Sequence, residues 1–168
     1  MTKDEFTKAL FLLTLAAGVG LGGCREKETK PGKFQASLVH KIKESCKEDS
    51  ACVIRLKDVT DFPWDQMFAF KKAVDQHTVE EALQTKVPPL QEGAQVVFVE
   101  RGRIVLFEAE PWDLERPLPD DVIFVEDSDL KGYRVYRPEA ILKVKKLKFD
   151  EVVQYKLDLV SETVTPAK

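Results

Sequence analysis

The sequence predicts an α+β domain: a mainly antiparallel sheet of about five to seven strands, with an N-terminal amphipathic helix and a second short helix packed on it. Three observations predict it. Phe34, Leu38, Ile42 and Cys46 recur at intervals of four among Lys41, Lys43, Glu44 and Lys47, the pattern of a helix with one apolar side. Gln95–Glu100 and Arg103–Glu108, both rich in β-branched or aromatic side chains, flank Arg101-Gly102 and read as a hairpin around a two-residue loop. Short strand-like runs then follow one another from Val122 to Val160.

Before the first helix, Ala9–Gly20 is an uncharged, mostly apolar run of roughly a dozen residues, the length of a signal-peptide core and too short to span a bilayer as a helix. It is followed by Leu21-Gly22-Gly23-Cys24. These four residues resemble the lipobox of bacterial lipoproteins, with an aliphatic residue three before the cysteine and small residues between. The resemblance implies that residues 1–23 are a signal peptide that is removed, and that Cys24 carries a diacylglycerol and an N-acyl chain. Several acyl chains exceed what stable membrane anchoring requires. It also implies an address: Arg25, where an aspartate would mean retention at the inner membrane, points to the outer membrane, on the side facing the periplasm. Residues 24–33 are charged, lack a face to bury and include Pro31-Gly32, which predicts a tether between lipid and domain.

The domain itself is expected over residues 34–160, a usual size for one core. After the first helix, Cys52–Val59 reads as a short strand. Cys46 and Cys52 are an even pair once Cys24 is assigned to lipid, and an oxidising compartment makes them a disulfide candidate joining helix end to strand start. Asp61–Phe70 is the most aromatic stretch; Pro63 sets the strand start at about Trp64, and the two-residue period puts Trp64, Phe68 and Phe70 on one face, Met67 and Ala69 on the other. Loosely, this segment is similar to the Phe-x-Trp-Asp-x-aromatic-x-Phe strand of small exported bacterial proteins, a likeness that extends to the later hairpin and a strand at Glu139-Ala140 and implies no activity. Thr78 and Glu81 have capping-box spacing for a second helix that ends before Pro88-Pro89. Pro111–Pro119 reads as a loop; Val122–Val125, Tyr133–Tyr136, Ile141–Phe149 and Val152–Val160 read as strands, and residues 161–168 as a flexible tail.

The inventory for chemistry is thin. There are only two histidines, His40 and His77, neither with a recognisable partner, and no nucleophile elbow, zinc-binding His-Glu-x-x-His or phosphate loop. Asp120, Asp121, Glu126, Asp127 and Asp129 crowd one region but lack the spacing and the turn glycine of a calcium loop, so a solvated acidic loop is expected and no metal or cofactor. Asp65 is expected at a strand edge or turn rather than in catalysis. Lys143, Lys145, Lys146 and Lys148 form a basic strip that suits an edge strand guarded against aggregation. Asp127 and Asp129 opposite Lys143, Lys145 and Lys146 polarise the surface in a way that suits a protein partner. A net charge of −3 supplies no reason to expect nucleic acid.

These observations favour a noncatalytic protein-binding lipoprotein that meets the membrane through Cys24 and a protein in the periplasm, an immunity protein for a periplasm-delivered toxin being a special case. The alternative is an envelope hydrolase acting on glycan or lipid through paired carboxylates, whose spatial separation a sequence does not reveal.

Overall fold

A computed structural model describes residues 32–47, 52–91, 93–110, 118–125 and 130–161. They form two helices and eight strands. The strands make two four-stranded sheets instead of one sheet of five to seven. Sheet one has the order β1-β7-β8-β5, from Cys52–Arg55, Ile141–Phe149, Val152–Ser161 and Val122–Ile123; sheet two has the order β4-β3-β2-β6, from Arg103–Ala109, Gln95–Glu100, Gln66–Phe70 and Tyr133–Tyr136. Neighbours pair antiparallel except β5 and β8, which run parallel.

The layering follows from which faces are apolar. The β2 strand is buried on both sides, as its aromatic sequence predicts, so sheet two is an inner layer. On one side Met67, Ala69, Val96, Phe98 and Tyr136 meet Ile54, Leu142, Val144, Tyr155 and Leu157 of sheet one in the main core. Helix α1, Lys33–Ser45, contributes Phe34, Leu38, Val39 and Ile42 to that same cluster, and its four-residue apolar spacing is the reason it packs there. On the other side Phe68, Phe70 and Val97 pack with Val79 and Val87 beneath helix α2, Gln76–Leu83. Trp64 belongs with Met67 and Ala69, not with Phe68 and Phe70: it lies before the strand proper, where strand alternation does not yet hold. Its indole N–H donates to Thr60 Oγ1 at 2.8 Å. Its ring meets Phe98 edge-on at 5.1 Å, and Phe34 and Phe62 do the same at 4.8 and 5.2 Å.

Local chemistry explains most element ends. The β3–β4 hairpin turns on Arg101 and Gly102, both with positive φ as the primed two-residue turns require. Asp65 Oδ2 accepts from the Arg101 N–H at 2.6 Å, so the aspartate braces this turn, in keeping with its expected structural role. The β7–β8 hairpin turns at Asp150-Glu151, with Asp150 at positive φ. The first strand stops at Arg55 rather than running to Val59, because Leu56 dives into the core and starts a short 3-10 turn whose N–H groups bond to Ala140 and Pro138 carbonyls. Those two carbonyls flank a turn at Pro138-Glu139, where a strand is expected from the sequence. The β5 strand is shorter than Val122–Val125, although Phe124 and Val125 remain buried. Helix α2 begins three residues earlier than a Thr78 capping box would place it; Asp75 is the cap, accepting from the Thr78 N–H at 2.9 Å, while the Thr78 hydroxyl donates to the other oxygen.

The Cys46 and Cys52 sulfurs are bonded, with Cα atoms 5.4 Å apart, tying the end of α1 to the start of β1.

Candidate functional site

Among the described residues the outer face of sheet one and a pocket between the sheets are candidate sites. The outer face holds part of the lysine strip. Since direct partners across a sheet point to the same side, Val53, Lys143 and Asp158 share one face with Lys145, Lys156 and Phe149, while Leu142 and Val144 point into the core. Alternation therefore divides the strip: Lys143 and Lys145 project outward, Lys146 and Lys148 to the core side beyond the core's edge. The strip is not on an edge strand either. The β7 strand lies between β1 and β8, although β1 covers only Ile141–Val144 of it.

Lys145 Nζ lies 2.5 Å from Asp158 Oδ2 and Lys156 Nζ 3.8 Å from Asp158 Oδ1. The hydrogen bond from Lys145 holds the Asp158 carboxyl below its ordinary range, and the charges of Lys145 and Lys156 add to this. Three lysines face one aspartate here, so the face is basic. Val53 and Phe149 are 54% and 46% exposed on it, and among the described residues no helix packs over it. Asp127 and Asp129, the other half of the expected polarised surface, lie outside the described residues, as does Cys24. His40 and His77 are both exposed on helices.

The pocket has a volume of about 230 Å³ and is walled by the end of β2 and start of β3 on one side and Val122–Val125 on the other. Apolar side chains make most of the wall, with Glu110 and Lys72 as polar members. Leu106, Glu108 and Glu110 alternate onto one face of β4 and its continuation, the face turned to the main core. The two glutamates meet different ends. Glu108 accepts from the Phe34 N–H, at 3.0 Å to Oε2 and 3.3 Å to Oε1, and so caps α1, whose own N-cap residue is Gly32 and supplies no side chain. A Cβ at Gly32 would collide with that carboxylate. Glu110 is 2% exposed and neither of its carboxyl oxygens has a hydrogen-bond partner.

Burial pushes the Glu110 carboxyl well above the ordinary carboxylate range; nearby Asp121 raises it further, Lys72 opposes, and Glu108 adds a smaller push upward. Asp121 is itself buried behind the pocket wall, its Oδ2 bonded to Lys72 Nζ at 2.8 Å and to Gln154 Nε2 at 3.2 Å, its Oδ1 without a partner. The acidic region is thus not one solvated loop. Asp120 pairs with Lys43 at the surface at 2.6 Å, and Asp121 is interior. No family model, curated protein or solved structure matches the chain.

Sequence reading missed Glu110 and Lys72. A signal for Glu110 exists in retrospect: Glu108-Ala109-Glu110 continues the alternation set by Leu106, which places both carboxylates on the core face. For Lys72 there is none, since its partner Asp121 is 49 residues away.

Proposed function

We propose that this chain is a lipid-anchored envelope lipoprotein, facing the periplasm, whose domain is a noncatalytic protein-binding module. The address rests on Leu21-Gly22-Gly23-Cys24. The binding half is carried by the outer face of sheet one, where exposed Val53 and Phe149 stand among Lys143, Lys145 and Lys156 with no helix over them among the described residues. Lysines standing between two exposed apolar side chains, with Asp158 the one acidic group named among them, favour a partner that brings acidic groups to the lysines and apolar groups to Val53 and Phe149. An immunity protein docking on an acidic toxin belongs to this class.

The hydrolase reading calls for two carboxyl groups facing each other across a cleft that a glycan or lipid can enter. Glu110 lines a pocket, but Asp121 stands behind its wall in an ion pair. That arrangement is why we prefer binding to catalysis.

A photo-crosslinking residue at Val53 of the full chain, activated in intact envelopes, tests the proposal. The expected outcome is one stoichiometric adduct that disappears in the Lys143→Glu/Lys145→Glu double variant. Absence of any stoichiometric adduct in the wild type, or an adduct indifferent to charge reversal, removes the reading. Acyl labelling checks the address: Cys24→Ser should lose lipid incorporation and leave the membrane fraction.

A further inference from the structure

The pocket between the sheets shares no residue with the face just described, and its chemistry asks for a different partner. Its wall is formed chiefly by Ala69, Phe70, Val96, Val122, Phe124 and Val125. Into this apolar space comes Glu110, 98% buried by its 2% exposure, with both carboxyl oxygens unpartnered. The side chain is held at this position by its backbone, since the Glu110 N–H donates to the Ala94 carbonyl at 2.8 Å. A buried polar group without partners is rare in a folded protein, because nothing replaces the water it has lost. Among the described residues Glu110 is therefore short of donors, and a bound ligand could supply them.

The charge of the missing partner follows from its surroundings. Lys72 is the cation that bears on Glu110, and its Nζ is already engaged by Asp121 at 2.8 Å. Lys71 also borders the pocket, yet its stem runs against Gly132, where a Cβ would meet Lys71 Cε at 3.3 Å. Lys72 and Asp121 thus answer each other, which leaves Glu110 as the acidic side chain on the pocket wall with nothing among the described residues bonded to it. An anion would bring that carboxyl no donor. An ammonium group instead supplies up to three N–H donors, and its charge favours the ionised Glu110, whose proton passes to solvent as the cation binds. The larger open groove between α1 and residues 58–62, about 740 Å³, has no buried unpartnered side chain along it and so makes no such demand.

We propose that this pocket binds a small organic ammonium ion, its cationic head on the Glu110 carboxylate and a short apolar body against Phe70, Val96, Val122 and Phe124. The space equals that of roughly seven or eight water molecules at about 30 Å³ each, which limits the body to a few carbons. A polyamine or a peptide longer than a residue or two does not fit inside it.

Isothermal titration of the full-length acylated chain, solubilised in a maltoside detergent, tests this with n-pentylammonium, and with pentanol and pentanoate as uncharged and anionic isosteres. The wild type should bind the amine and prefer it to both isosteres by about tenfold or more. Glu110→Gln, which keeps size and buries no charge, should lose that preference. Equal binding of amine and alcohol, preference for pentanoate, or no binding of the amine each overturns the proposal. Because those comparisons use the wild type, they stand whether or not the variant folds. A Glu110→Gln chain that folds and still prefers the amine also overturns it.

Discussion

Glu108 and Glu110 are two residues apart on one face of one strand, and the fold uses them oppositely. The first is answered by the start of α1, so its charge meets the N–H group and positive end of a helix. Glu108→Ala should therefore behave as loss of a helix cap, about 1 to 2 kcal/mol less stable by urea denaturation. Glu110 is unanswered, and its raised pKa fixes the sign of a pH effect. The folded state holds the Glu110 proton more tightly than the unfolded chain does. Stability contributed by the neutral acid is complete below the ordinary value of 4.5 and declines as pH rises from there toward the folded pKa. The expectation is that Glu110→Gln raises the Tm at pH 7 and changes it little at pH 4; a Tm lowered at both values would contradict it. Of this pair the sequence shows the alternation but not the environment. A charged residue at a strand end reads as solvated until the strand opposite it is known.

At the scale of elements, segments governed by local chemistry are legible and those governed by distant pairing are not. The α1 helix, the β3–β4 hairpin and the two long C-terminal strands follow from periodicity and turn residues. The 3-10 turn after β1 and the brevity of β5 depend on Ala140, Pro138 and Tyr155, all far along the chain, and no local signal announces them. The start of α2 shows a finer ambiguity, since Asp75 and Thr78 are both good caps and the one with the helix beginning directly after it is Asp75. The Cys46–Cys52 bond, expected from the cysteine count, joins elements that otherwise touch little. With six residues of separation, the chain-entropy relation assigns it roughly 2 kcal/mol, and the Cys46→Ser/Cys52→Ser double variant should lose about that much in urea without changing the sheets' circular dichroism.

For the whole molecule, α+β class and a mainly antiparallel arrangement are readable from the sequence, whereas the division into two sheets is not. Apolar strand faces can be buried only against another layer, and which strand joins which layer rests on partners such as β1 with β7, nearly ninety residues apart. Phe98 is where the layers meet: fully buried on β3, it is touched by Phe34 of α1 and by Phe62 and Trp64 of the loop before β2. Phe98→Ala should cost about 3 to 5 kcal/mol and lower all structural signals in one transition; separate melting of α1 would argue against a shared core.

The pinning of α1 at both ends also has a mechanical meaning. A force applied at Gly32 acts next to the Phe34 N–H that Glu108 holds, and loads α1 from its first turn. Peeling would break that single charged contact first and then draw the helix off turn by turn. It would stop at Cys46, where the covalent link to Cys52 hands the load to β1 and, through its four-residue ladder, to β7. Peeling therefore has to pull Phe34, Leu38 and Ile42 out of the main core before it reaches that covalent limit.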